Sequence, residues 1–541
     1  MFLRRLGPIP ITLLSGFLGS GKTTLLEHIL TAKHGLKIAV IINDVSKLNI
    51  DAALLQNHKV TNKEEKLIQL QNGCICCTLR GDLLEELVAL AKSKAFQYIV
   101  IESTGISEPM QVAETFTTEF TEMLLETSDE IDENESNILK EIVKSGGLNK
   151  LTKLDTCVTV VDALNFFNNL ETTDFLIDRF GDHGSGEQER TITDLLIDQI
   201  EFANVIIINK VATVSGSKLK KIEKAIKTLN PIAKIIKTNY SKVDIKDVVN
   251  TKLYEFEKAQ LSAGWLQSLN EMTIREGFGA KKKNVLTPKP ETEEYGINNF
   301  VYQAKRPFHP ERLFDLIKDK FVILERSSMN QEQLTNEAKE LTEQTLTEEE
   351  EEESEEEETN EEDEIENGIS ENEYIRNKKK SALGPVLRSK GFIWLASRYI
   401  NRGEWSSAGS MLTINGGIPW FDIIGIPPTT KEAAKLIKQE LKQKYGDRRN
   451  EIVFIGLGID SQNITKLLDS CLVTDEELNQ FDKIIKSEKK LINIEKRLQR
   501  EFSDGFEDWI LLDEDDKQEE KEVHNEHTIA GRVHQHHVAV K

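Results

Sequence analysis

The stretch GFLGSGKT, Gly16–Thr23, decides how the first half of this chain is read. It fits G-x-x-x-x-G-K-[ST] at every fixed position, between an apolar run, Ile11–Ser15, and a helix expected from about Lys22. Closely spaced glycines let backbone N–H groups converge on phosphate oxygens, helped by the positive end of the following helix. Gly16, Gly19, Ser20 and Gly21 therefore line a phosphate cradle, with Thr24 alongside. Lys22 neutralises the β- and γ-phosphates and Thr23 offers its hydroxyl to Mg²⁺. A chance Gly-rich turn would not match the motif and its strand–helix setting together.

Working outward, four more β-branched runs follow, at 37–44, 96–104, 156–163 and 203–210, with helical patterns between them, for example 82–94 and 217–229. Near-continuous apolar strands alternating with helices predict a parallel α/β sheet covered on both faces. A carboxylate ending a later strand should serve the metal or the attacking water. Glu102, in YIVIESTG, is placed to do so, and Asp44, ending the second strand, is a switch-loop candidate for the same Mg²⁺. The alternatives are ordinary turn-capping roles, and Asn-Asp pairs often begin turns. Asn209-Lys210 follows a strand as in the guanine-reading N-K-x-D loop, but Ala212 stands where the aspartate would be. The sequence thus points to GTP without excluding ATP.

Cys74, Cys76 and Cys77 lie within four residues, in NGCICCTLRGD. Such crowding is a poor disulfide framework and a better site for a soft metal, with Zn²⁺ or Cu(I) favoured over Mg²⁺. Structural zinc sites normally have four protein ligands, and no second local pair exists, so the site is incomplete and suited to exchange. Buried or redox cysteines without metal are the alternative. Cys157 and Cys471 are solitary and read as packing residues. The cysteines fall between Asp44 and Glu102, the stretch expected to respond to the γ-phosphate.

The 541-residue chain carries a net charge of −23, but 348–373 alone holds seventeen Asp and Glu and no Lys or Arg. That run reads as a solvated linker unable to bury enough apolar surface to fold. No concentrated basic face is evident, so nucleic acid is not an expected partner. No apolar run is long enough for a transmembrane helix, and the N-terminal MFLRRLGPIP leads straight into the phosphate loop, which argues against a cleaved signal. A cytoplasmic setting is expected. The predicted organisation is a P-loop domain over 1–256, a linker over 257–296, a second domain over 297–480 interrupted by an acidic disordered insert at 328–380, and a charged tail over 481–541. Tail residues His524, His527, His534, His536 and His537 are candidates for a second metal.

These motifs resemble one family. GFLGSGKTTLLEHIL, VIINDVSKLNIDAALL, NGCICCTLRGDLLEEL, YIVIESTGISEPMQVAETF, KRPFHPERLFDLI and LLDSCLVTDEEL are similar to the CobW-like metallochaperone GTPases, in their zinc-regulated GTPase metalloprotein activator branch. The resemblance implies a SIMIBI-type GTPase domain followed by a smaller CobW C-terminal α/β domain. It also implies Zn²⁺ on Cys74, Cys76 and Cys77, slow GTP hydrolysis, and transfer of zinc to a client metalloenzyme, with a homodimer as one option for assembly. A nucleotide-binding zinc buffer without transfer is the rival reading. Ala212 and the acidic insert depart from the family pattern. His309 and Trp394 match second-domain motifs and are read as structural or client-facing.

Overall fold

The computed structural model describes residues 7–43, 66–70, 79–103, 108–116, 147–180, 190–255, 297–324, 370–426 and 437–503, with Gly105, Ile142, Gly505, Phe506 and Trp509. Asp44, Cys74, Cys76, Cys77, most of the acidic run and the tail histidines lie outside them.

The first sheet has seven strands in the order β3-β2-β4-β1-β5-β6-β7. They are β1 (Ile9–Ser15), β2 (Ile38–Asn43), β3 (Lys66–Leu70), β4 (Tyr98–Glu102), β5 (Thr152–Asp162), β6 (Val205–Asn209) and β7 (Lys234–Lys237). Every pairing is parallel. Alternation sends Ile11 and Leu13 to one face, with Ile99 and Ile101, against Leu83, Leu84 and Leu87 of α2 (Leu79–Ser93). Leu14 goes to the other face with Val100 and Val160, against Leu25, Leu26 and Ile29 of α1 (Lys22–Thr31). Two apolar faces explain the unbroken hydrophobic runs. The chain leaves β1 towards β2 and later crosses to β5, so the strand order reverses beside β1. Ligands of open α/β sheets bind outside the carboxyl ends of the strands at such a point.

Of these strands, β3 and β7 are additional to the five expected from the sequence. Both are edges, and β7 carries lysines at its two ends, which hides its β character while protecting the edge from further pairing.

The second sheet runs β8-β13-β10-β11-β12-β9. It comprises β8 (Ile297–Ala304), β9 (Val322–Leu324), β10 (Val386–Ile393), β11 (Asn401–Ala408), β12 (Met411–Pro419) and β13 (Asn450–Leu457). It is antiparallel except where β9 joins β12. Helices complete an α/β unit around a core that includes Phe308, Trp405 and Phe454.

Two expected boundaries are corrected here. Glu371–Lys380, assigned to the disordered insert, is a helix opened by a capping box of Ser370 and Glu373. Its last turn carries buried Lys378, whose ammonium donates to the carbonyls of Val386 and Gly409. Burial lowers the Lys378 pKa to about 7. Packing also continues past residue 480. The helix Asp475–Ser487 and the helix Leu491–Glu501 bury Phe481, Ile494 and Leu498 with Trp394, and Trp509 joins the core of the second sheet. Their high proportion of charge conceals an amphipathic stripe.

Candidate functional site at the carboxyl edge of the first sheet

Strand register aligns the site. Leu14 of β1 lies opposite Glu102 of β4, Ser15 opposite Thr159 of β5, and Asp162 of β5 opposite Asn209 of β6. The phosphate loop, Glu102, Asp162 and Asn209 therefore share one edge.

Within the loop, Gly16, Gly19 and Gly21 all have positive φ. At Gly21 (φ 109°) a Cβ would stand 2.3 Å from Asn209 Nδ2, so only glycine fits. The Lys22 ammonium donates to the carbonyls of Gly16 at 2.7 Å and Phe17 at 3.1 Å, spanning its own loop from inside. The Ser20 side chain is fully buried, while Thr24 is exposed on the first turn of α1. Thr23 Oγ1 donates to Glu102 Oε1 at 3.1 Å. Thus the hydroxyl and the carboxylate expected to share a metal already stand together. Both are hard oxygen donors, the set a Mg²⁺ ion takes.

The far wall is a second set of contacts. Asn209 Nδ2 donates to the Ser20 carbonyl at 2.9 Å and to Ser241 Oγ at 3.0 Å, while its Oδ1 accepts from Ser241 N–H at 3.0 Å. Ser241 Oγ donates to the Gly21 carbonyl at 2.9 Å. Asn209 is therefore a staple between the phosphate loop and the loop after β7. Lys210 adopts a left-handed conformation and pairs with Asp162 at 2.8 Å. The sequence reading missed Asn239 and Ser241. Their signal was TNYS following a short apolar run with lysine ends, which becomes readable once β7 is known to be a strand.

From Glu102 the chain enters a loop that touches the rest of the molecule. Ser103 N–H and Oγ both donate to the Leu14 carbonyl. A Cβ on Gly105 would meet Leu18 N at 2.6 Å, so this loop lies directly against the phosphate loop. Gln199, on the helix Ile192–Glu201, donates to the Gly105 carbonyl at 3.4 Å. Further along, Glu108 pairs with Arg190 at 3.1 Å. Arg190 also pairs with Asp198. Arg388 of β10, in the second sheet, is fully buried and reaches Asp194 at 2.6 Å, Asp198 at 3.2 Å and Glu201 at 3.9 Å. A continuous chain of charges thus joins the loop after Glu102 to the second sheet.

Titration of this chain is unusual. Burial, aided by neighbouring carboxylates and opposed by Arg388, holds Glu201 up at about 7; burial and Asp194 hold Asp198 up at about 6. For Asp194, burial is outweighed by Arg388 and Arg190, and its pKa falls. A carboxyl whose pKa is raised on folding binds more protons folded than unfolded. Its stabilising share is present below the unfolded pKa and lost as pH rises through the folded value. Stability should therefore decline as pH rises from about 5 to about 8, and Glu201→Gln should flatten that decline. Urea midpoints of both proteins at the two ends of the range check this.

Other singled-out residues pack into the two units. Cys157 and Cys471 are buried. Trp394 is fully buried, and His309 precedes the helix Pro310–Ile317, packing edge-on to Phe502. Among the described residues no three His, Cys, Asp or Glu gather as a metal site, and no helix is long and apolar enough to cross a membrane.

A Walker-type loop at the strand-order reversal of a parallel sheet, with a strand-end carboxylate on its threonine, defines a P-loop nucleoside triphosphatase. Residues 10–136 and 123–237 match the CobW/HypB/UreG nucleotide-binding domain, and residues 371–472 the cobalamin synthesis protein CobW C-terminal domain. The chain is 38% identical over 480 residues to zinc-regulated GTPase metalloprotein activator 1 of Dictyostelium discoideum, covering 87% of this chain and 81% of that one. The Schizosaccharomyces pombe protein of the same name is 30% identical over 272 residues, 50% of this chain and 55% of its own. Zinc chaperone YjiA of Escherichia coli is 40% identical over 116 residues, 20% of this chain and 35% of its own. The chain belongs to the family of zinc-regulated GTPase metalloprotein activators and is a GTP-hydrolysing enzyme.

Proposed function

We propose that this GTPase binds zinc through Cys74, Cys76 and Cys77 and passes it to a client zinc metalloprotein in the cytoplasm, with the nucleotide state setting how tightly the zinc is held. The observation that carries the coupling is the position of Leu70. It ends β3 four residues before Cys74, on the same sheet edge as Ser15 and Glu102. Strands are spaced about 4.8 Å apart, so β3 lies roughly 14 Å from β1 across that edge. The last described residue before the thiolates therefore lies at the sheet edge that carries the phosphate loop.

In this reading Gly16, Gly19, Ser20, Gly21, Lys22, Thr23 and Thr24 bind the phosphates, and Asn209 and Lys210 frame the base. Thr23 and Glu102 hold Mg²⁺, with Asp44 as a further ligand. Bound there, Mg²⁺ would offset phosphate charge. Lys22 exchanges two loop carbonyls for phosphate oxygens, placing its charge where negative charge develops. Glu102, buried at the end of β4, orients the attacking water. The division proposed is a GTPase unit up to residue 256, a linker over 257–296 and a CobW C-terminal unit from 297, extended to Trp509 on the packing described above.

The test is zinc affinity of the full chain with GTP, with GDP and without nucleotide, beside a Cys74→Ala/Cys76→Ala/Cys77→Ala variant. Zinc should bind with clearly different affinities across the nucleotide states, and the variant should lose that site while still hydrolysing GTP. Equal affinity in all three states would leave only a zinc buffer.

A further inference from the structure

We infer that this enzyme does not distinguish ITP from GTP, because position 212 leaves the 2-amino group of guanine unread. The inference rests on the proposal that Asn209 and Lys210 frame the base. In an N-K-x-D loop the fourth residue's carboxylate accepts from those two donors. Here that residue is Ala212, whose exposed methyl has no acceptor.

Among the described residues, the neighbouring groups do not supply a substitute. The Oδ1 of Asn239 accepts from the Ala212 N–H at 2.8 Å, so this amide oxygen is committed to holding the loop. Thr213 Oγ1 donates to the Lys210 carbonyl at 2.7 Å, which closes the turn. Asp162, on the strand beside Asn209, accepts from Lys210 at 2.8 Å, from Leu164 N–H at 2.9 Å and from Asn165 Nδ2 at 2.9 Å. Glu223 is paired at 3.1 Å with Lys237, the residue that ends β7 ahead of the Asn239 loop.

Inosine differs from guanosine only by lacking the 2-amino group, so it isolates this contact. A hydrogen bond to a charged acceptor is worth about tenfold or more in affinity, and a methyl supplies none of it. GTP and ITP should therefore bind within about threefold of one another. Ala212→Asp, an exposed substitution in a turn, should restore a preference for GTP of about tenfold or more.

The experiment is competition binding of GTP and ITP to the full chain, to Ala212→Asp and to Lys210→Ala, with each protein's circular dichroism recorded. A wild-type preference for GTP above about tenfold, or an Ala212→Asp variant that gains none, overturns the inference. Lys210→Ala distinguishes the underlying reading. It should weaken GTP and ITP equally, and unchanged binding of both would remove the base-loop assignment itself and this inference with it.

Discussion

Lys22→Ala should abolish GTP turnover, lowering kcat by a hundredfold or more while the protein stays folded. The side chain is buried within the phosphate loop, and its ammonium contacts are to the Gly16 and Phe17 carbonyls. Removing it withdraws a buried positive charge from the phosphate site, where low dielectric makes each charge count. The loop itself should persist, because its glycines set the backbone and Asn209 and Ser241 staple it from the far wall. Steady-state phosphate release, with the unfolding midpoint as control, checks both halves. A variant retaining a tenth of wild-type turnover would remove Lys22 from the mechanism.

The second large effect is on stability. Arg388→Met should cost about 3–5 kcal/mol near neutral pH, since it keeps the volume but takes from three carboxylates the buried guanidinium they share. Asp194, Asp198 and Glu201 all face Arg388, while Arg190 compensates the first two only in part. The signature of a charge effect, as opposed to lost packing, is its dependence on pH. At about pH 5 the carboxyls take up protons and the deficit should shrink, whereas a packing defect would stay constant. Denaturant unfolding of wild type and variant at both pH values tells them apart. Because Arg388 belongs to the second sheet and the carboxylates to the first unit, this variant should also loosen the path that begins at Glu108.

How much of this was legible in the sequence depends on which physical signal each part carried. The phosphate loop and the central strands were readable because burial on both faces leaves unbroken β-branched runs, and because the loop geometry admits only glycine at Gly21. Glu102 was readable as a strand-end acid, and the structure places it on Thr23. The edge strand β7 was not, since its exposed lysines overwrite its pattern. Nor was the helix Glu371–Lys380, whose acidic first turn continues the composition of the run before it; only its capping box and the buried Tyr374 mark the change. Asn239 and Arg388 were invisible for another reason. Their roles depend on partners 27 and about 190 residues away in the chain, and no local pattern encodes such a meeting.

The helix Glu371–Lys380 has one more consequence. Asn377 donates to the Asp319 carbonyl at 3.1 Å, just before β9. The chain therefore departs after Leu324 and returns at Ser370 to a doorway whose two posts are pinned together. Loop-closure entropy grows only with the logarithm of length, about 0.6 kcal/mol per doubling. Because the two posts are held by their own contacts, a reporter inserted between them should leave both sheets in place.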